Sequence, residues 1–190
     1  MNTNYIDSQT FKGKDYTSNN FIKGEYDNCT FINCNFSSLH LANNEFLECE
    51  FFNCNFSNSN IKNVAFKDVI FDTCKLVGLN FSECNPFLLA ITFNNCQLNL
   101  ASFYQLKLKN TKFTNCNLQE TDFVDAEIPN SVFKNCDLNK AIFENTDLQK
   151  ADFRTSYNYS INPEINTIKN AKFSLNGITG LLEKYNLTIE

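Results

Sequence analysis

The chain has 190 residues, a net charge of −5 and a mean hydropathy of −0.33, enough for one domain with a sizeable core. A pI near 5.0 excludes a nucleic-acid binder that relies on a general basic surface. The opening MNTNYIDSQTFKGKDY holds no apolar leader, and no stretch approaches the roughly 18–20 apolar residues that span a bilayer, so a cytoplasmic protein with no membrane partner is expected.

From Ile6 onward the chain keeps a period of five. Ile6, Phe11, Tyr16, Phe21, Tyr26, Phe31, Phe36, Leu41, Phe46, Phe51, Phe56, Ile61, Phe66, Phe71, Leu76 and Phe81 are all large and apolar or aromatic. Neither a helix nor a single strand has this period, so the chain must turn in units of five. Call the large position i. Position i−2 is mostly small (Ala, Cys, Ser, Thr), as expected for a residue on the same side of an extended segment. The other three positions carry most of the polar residues and should face water.

Cys34, Cys54 and Cys74 are twenty apart, and so are Cys96, Cys116 and Cys136. Whole phrases recur at that interval, FINCNF then FFNCNF, so four fives make one coil and the coil is square. The nine cysteines all lie at i−2. They are read as small, buried, reduced thiols spread over several inner columns, with no metal and no cofactor. The lone Arg among sixteen basic residues, and the abundance of Asn, read as compositional bias.

The register slips by two at 82–92, SECNPFLLAIT, where Pro86 takes an apolar slot. Phe87, Leu88 and Leu89 leave the pattern. They form either a bulge tucked against the rod or an exposed knuckle that meets a partner. The period resumes at Phe93 and runs through Leu98, Phe103, Leu108, Phe113, Leu118, Phe123, Ile128, Phe133, Leu138, Phe143 and Leu148 to Phe153, alternating Phe with Leu or Ile. That alternation puts Phe on two opposed sides and aliphatics on the other two.

Between residues 120 and 152 lie Glu120, Asp122, Asp125, Glu127, Asp137, Glu144, Asp147 and Asp152 against Lys134, Lys140 and Lys150, a segment charge of −5. All eight acids fall in outward slots. Glu127 and Asp147 are one coil apart, as are Glu25 and Glu45. Stacked like charges lower stability, so these acids are candidates for contact with a basic partner surface; ordinary solubility is the alternative. His40, the one histidine, sits in an outward slot. No P-loop, dinucleotide-binding glycine pattern or nucleophile elbow is present, and a filled coil offers no evident pocket, so an enzyme is not expected.

The stretch 156–166, SYNYSINPEIN, interrupts the last coil and is a third possible contact. Beyond it, Ile178, Leu181, Leu182 and Tyr185 fall at i, i+3, i+4 and i+7, one face of a short C-terminal α-helix that Ser174 or Asn176 would cap. So short a helix must dock, either on the last coil or on a second copy with two-fold symmetry. The division is therefore a β-helix over 1–175 and a helix and tail over 176–190. About eight 20-residue coils fit, leaving a β-edge at each end that needs a cap or partner.

The pattern of Leu or Phe at i and a small residue at i−2, held over about 6–173, resembles the pentapeptide-repeat family, which implies an all-β fold, a right-handed quadrilateral β-helix. The phrase INPEIN followed by LLEKYNLTIE resembles the family's topoisomerase-protecting branch, the microcin-immunity, albicidin-resistance and quinolone-resistance proteins. No counterpart of the long projecting loops of some quinolone-resistance members is seen. The resemblance implies a homodimer joined at the C-terminus, binding to DNA gyrase or topoisomerase IV as a duplex-DNA mimic, and protection of that enzyme from a toxin or drug. It implies no nucleic acid as partner. A structural or adaptor rod with another partner is the alternative.

Overall fold

A left-handed corner every five residues sets the architecture. The computed structural model describes residues 4–188; residues 1–3 and 189–190, the outer ends of the two expected segments, lie outside the described residues. From Ser8 to Lys150 almost every i+2 position has φ between +48° and +67°. Each corner bends the chain onto the next side of a square, and its N–H donates to the following coil, as Asn28 N does to Leu47 O at 2.9 Å.

Asn is the commonest residue at these corners. It tolerates the left-handed region better than other side chains apart from Gly. It also ladders: Asn53 Nδ2 donates to Asn33 Oδ1 at 2.8 Å, and Asn95, Asn115 and Asn135 form a continued column at 3.1 Å per step. The abundance of Asn is therefore positional, which corrects the reading of it as compositional bias. A second set sits at i−1, where Asn or Asp turns its Oδ1 onto the N–H two residues on, as in Asn35 to Ser37 at 3.1 Å and Asn117 to Gln119 at 3.0 Å. These Asx turns start the corner that the i+2 residue completes.

All strands pair in parallel with their neighbours one coil away. The first face carries seven short strands: β2 (Thr10–Lys12), β4 (Thr30–Ile32), β6 (Glu50–Phe52), β8 (Val69–Asp72), β9 (Ile91–Asn94), β10 (Lys112–Thr114) and β11 (Val132–Lys134). The fourth face carries β1 (Asn4–Asp7), β3 (Gly24–Asp27), β5 (Glu45–Leu47) and β7 (Ala65–Lys67). The second face follows Tyr16, Phe36, Phe56, Leu76, Leu98, Leu118 and Leu138; the third follows Leu41, Ile61, Phe81, Phe103, Phe123 and Phe143. Both are held by single bridges such as Asn35↔Asn55 and Ser102↔Asp122.

The core is a stack of rings. Phe11, Phe31, Phe51, Phe71, Phe93, Phe113, Phe133, Phe153 and Phe173 form one unbroken column, with centroids 4.6–5.8 Å apart and planes within 14°. Beyond the slip, Phe103, Phe123 and Phe143 stack on the opposed face and meet the first column edge-on, as in Phe103–Phe113 at 5.8 Å and 80°. Phe thus occupies two opposed sides and aliphatics the others, as the alternation predicts. Offset and edge-on contacts are the favoured aromatic geometries.

The cysteines are less scattered than the sequence reading has it. Cys34, Cys54, Cys74, Cys96, Cys116 and Cys136 form one continuous column beneath the second face, because the two-residue slip preserves the stack from Cys74 to Cys96. Cys29 and Cys49 lie in a second column and Cys84 in a third. All nine are buried and free. Each i−2 thiol turns inward onto a carbonyl of the preceding coil, Cys54 Sγ to Phe31 O at 3.4 Å, just as Ser131 Oγ does to Leu108 O at 3.0 Å. Burial pushes Cys49 up to about 12 and raises Cys74 and Cys84, so these thiols stay protonated at neutral pH. Among the described residues no three His, Cys, Asp or Glu side chains converge as a metal site, and no helix is long and apolar enough to cross a membrane.

At the N-terminal end Ile6, Phe11, Tyr16 and Phe21 are only half-buried and nothing described covers them. At the other end residues 174–187 fold back over the last coil. They form two 3₁₀ turns, Ile178–Leu181 and Glu183–Tyr185, rather than the expected α-helix. Their bonds are three-residue steps, Leu182 N to Thr179 O and Tyr185 N to Leu182 O, both 2.9 Å.

Three substitutions should separate these roles in urea unfolding. Phe103→Ala removes a fully buried ring and should cost about 3–5 kcal/mol. Cys74→Ser keeps both size and the inward hydrogen bond and should cost under about 1 kcal/mol. Asn115→Val puts a β-branched side chain at φ +53° and should cost about 1–2 kcal/mol or more.

Candidate protein-interaction surface

With the interior filled, partner contacts fall to the outward slots, and the coil register assigns each one to a face. Glu25 and Glu45 pair directly across β3 and β5, and Glu127 and Asp147 bridge directly further along. Both pairs lie on the fourth face, which also carries Asp7 and Asp27. Asp125, in a left-handed corner at φ +56°, and Glu144 lie along the adjoining edge, and Asp122 stands on the third face beside it. Five of the eight expected acids are thus gathered on one side of the rod.

The other three are not. Glu120 sits at the corner between second and third faces, stacked with Lys140; Asp137 is on the second face and Asp152 on the first. Asp152 pairs with Arg154 at 2.7 Å, and this guanidinium holds its carboxyl below the ordinary carboxylate value. The first face and its edge also carry Lys112, Lys134 and Lys172, so its C-terminal half is mixed to basic rather than acidic.

Four of the acids have a second job that sequence reasoning missed. Asp122, Asp137, Asp147 and Asp152 each cap the N–H two residues on, at 2.9–3.1 Å. They stand where Asn35, Asn55 and Asn80 stand in earlier coils, and that equivalence is the signal that was available. Asn would cap equally well, so capping alone does not select a charge. On the fourth face Lys67 pairs with Glu45, and Lys107 with Glu127 at 3.2 Å. Glu25 and Asp147 have no ion-pair partner among the described residues.

At the slip the two extra residues are looped out at the edge between fourth and first faces. Asn85 Oδ1 accepts from Phe87 N at 3.0 Å, and the ladder resumes at Ala90 N to Phe66 O, 3.1 Å. Leu89 packs back on the core, whereas Phe87 and Leu88 are about two-thirds exposed. Leu88 and Leu100 have φ of +56° and +60° and are the only apolar residues in left-handed corners among the described residues. The Lys67 ammonium lies 5.7 Å from the Phe87 ring centroid.

The C-terminal stripe is divided. Leu181 packs against the core and Leu182 is half-buried, but Ile178 and Tyr185 are exposed, together with Leu175 and Leu187. The irregular stretch 156–166 holds the tail: Glu164 accepts from Tyr185 Oη at 2.7 Å and pairs with Lys184. Asn166, buried, replaces backbone partners by accepting from Thr146 N at 2.9 Å and donating to Phe143 O at 2.8 Å.

A family model described as "Pentapeptide repeat region" matches residues 44–114 and 88–180. No curated protein matches. Among solved structures, a trypsin-treated form of QnrB1, a plasmid-mediated fluoroquinolone resistance protein, is similar with a TM-score of 0.51 at 18% identity, covering 98% of this chain and 100% of that one. HetL, a pentapeptide repeat protein involved in heterocyst differentiation regulation from the cyanobacterium Nostoc sp. strain PCC 7120, is similar at 12% identity with a TM-score of 0.41, covering 90% and 88%. A pentapeptide repeat protein from the Arabidopsis thaliana thylakoid lumen gives 16% and 0.35 over 95% and 90%. At these identities the likeness is one of fold.

The Lys184 and Tyr185 hydrogen bonds hold the Glu164 carboxyl below its ordinary value of 4.5. A depressed carboxylate stabilises the folded arrangement fully above its ordinary value and loses that contribution as pH falls through the lowered one. Amide protection in 183–187, measured against the intrinsic exchange rate at each pH, should therefore fall below pH 4.5. Glu164→Gln should show the lower protection already at pH 7.

Proposed function

The chain belongs to the pentapeptide-repeat family, and we propose that it is a protein-binding rod that imitates duplex DNA in the groove of bacterial DNA gyrase, or of topoisomerase IV, and shields that enzyme from a toxin or drug acting on cleaved DNA. The observation that carries this reading is the fourth face. Its two stacked acid pairs, Glu25–Glu45 and Glu127–Asp147, lie on one side of the rod towards its opposite ends, with Asp122, Asp125 and Glu144 grouped beside the second. Lys67 and Lys107 offset one acid of each pair and leave Glu25 and Asp147 uncompensated; stacked like charges oppose folding, and the Asx turn of Asp147 needs no charge, so a basic partner is the physical reason to keep these two. A groove built for phosphates supplies such a partner.

The fold shared with a fluoroquinolone resistance protein supports the topoisomerase as target. The exposed Phe87 and Leu88 would add apolar contact at the rod's edge, and the exposed Ile178 and Tyr185 would join two copies at their C-termini, doubling the length of the acidic side. The protein would work in the cytoplasm. A second reading, an adaptor rod with a different protein partner, is favoured by one observation: the tail lies on its own rod rather than free for a second copy.

A supercoiling assay with and without a gyrase poison tests the proposal. The wild type should restore supercoiling in the presence of poison. The double variant Glu25→Gln and Asp147→Asn, which leaves the Lys67–Glu45 and Lys107–Glu127 ion pairs in place, should lose protection at least tenfold while its urea midpoint stays the same or rises. Absence of gyrase binding by the wild type at low salt would leave only the adaptor.

A further inference from the structure

One edge of the rod changes sign halfway along. The chain passes the edge between the fourth and first faces nine times, each time through a left-handed corner, from Ser8 to Asn170; Leu88, at the slip, is the fifth. The outward positions of each pass are the corner, the residue before it and the residue two after it. On the four passes before the slip they hold Asp7, Asp27, Glu48, Glu50 and Asp68. On the four passes after it they hold Lys109, Lys112, Lys150, Lys169 and Lys172. The pairing fixes this register: Asp7 lies against Asp27, and Glu50, Ile70, Thr92 and Lys112 follow one another up one column. None of these acids or lysines has an ion pair among the described residues. The two charges of the wrong sign on each half are already compensated, Lys67 by Glu45 and Asp152 by Arg154.

A partner of one sign fits half of this edge and is repelled by the other half. A partner for both halves must carry the opposite order of charge at the same spacing, about 4.8 Å per pass. A second copy laid antiparallel meets that requirement by symmetry. A two-fold axis through Leu88 sets the first pass against the ninth, the second against the eighth and the fourth against the sixth. Asp7 then faces Lys169 and Lys172, Asp27 faces Lys150, and Asp68 faces Lys109 and Lys112. Glu48 and Glu50, on the third pass, face the uncharged seventh and lie one pass from Lys112 and Lys150. The same axis seats Phe87 and Leu88, both about two-thirds exposed, on their own counterparts. A parallel copy would set acid on acid and lysine on lysine.

We propose that this edge is a self-recognition surface on which two copies pair side by side and antiparallel, acidic half on basic half, with Phe87 and Leu88 at the centre. A strip three residues wide and ~40 Å long belongs to the small, transient class of interface, under about 1,200 Å². Its charges are exposed, so the pairing weakens as salt shortens the Debye length from about 30 Å at 0.01 M to about 3 Å at 1 M. Pairing covers Phe87 and Leu88 and the Asp27 side of β3, which also carries Glu25. It therefore competes with the topoisomerase contact proposed above and holds the rod back from that partner. The pairing itself does not rest on that reading, nor on any contact through the tail.

Sedimentation equilibrium of the full chain tests this with two charge-reversed variants, Glu48→Lys with Asp68→Lys, and Lys109→Glu with Lys112→Glu. All four positions point outward, and a lysine already stands in a left-handed corner at Lys150, so both rods should fold with near-native urea midpoints. The wild type should self-associate at about 20 mM salt and lose at least tenfold in association constant at about 500 mM. Each variant alone should associate at least tenfold more weakly. An equimolar mixture of the two should associate at least as tightly as the wild type, because the acidic edge of one meets the basic edge of the other. Leu88→Cys, on the axis, should cross-link to itself through a short bismaleimide, whereas Asn170→Cys, at the far end of the edge, should not. Both charge variants keep Glu25 and Asp147, so gyrase protection is read separately from pairing. The edge is overturned if the wild type is monomeric at low salt, or if the mixture associates no better than its components. A dimer that neither reversal weakens and that cross-links through Asn170→Cys also overturns it, and leaves the C-terminal pairing standing.

Discussion

The rod depends on one backbone constraint, a left-handed residue at almost every fifth position. The corner fixes the length of each side, and the side length fixes the twenty-residue return that stacks Phe on Phe and amide on carbonyl. The conformation costs most side chains about 1–2 kcal/mol, and the chain meets that cost by placing Asn there and letting its amide ladder up the edge. The rings then supply what the corners do not, a dry interior in which each large side chain between the end coils has a partner above and below. Neither device stands alone: the corners without the rings are strained, and the rings without the corners have no common axis.

The period of five, the square cross-section and the opposed Phe columns were legible because they are set by spacing alone. The role of Asn was not, because a left-handed φ leaves no mark on hydrophobic patterning. Reading i+2 as a column, as i and i−2 were read, would have exposed it. The thiol column from Cys34 to Cys136 was missed for a similar reason: the slip at 82–92 was treated as a break, whereas Phe71 stacks on Phe93 straight across it. At the tail the helical spacing of Ile178, Leu181, Leu182 and Tyr185 is real, but the fit of Gly177 and Gly180 over Tyr159 is tertiary and cannot be read from spacing.

The outer surface divides into parts that folding explains and parts that it does not. Corner Asn and the Asx-turn residues are explained by the backbone they satisfy. The charge on Asp122 and Asp147 is not, since Asn would cap as well; nor is the unpaired Glu25; nor are two leucines in left-handed corners, where Asn or Gly would fit the backbone better. Those residues are not required by the backbone, and they lie on the third and fourth faces and at the edges of the rod.

The slip has a consequence for how such a molecule changes over time. Its two extra residues are absorbed wholly at one edge, between Asn85 and Ala90, and the coils on either side keep their faces aligned. A strand or helix of an ordinary domain would be rotated or pushed out of phase by the same insertion. Here the corners act as joints between rigid panels, so a lineage can lengthen one edge into a loop, or trim it back, while every side chain downstream keeps its compass bearing. Surface novelty and structural continuity are thereby uncoupled, one edge at a time.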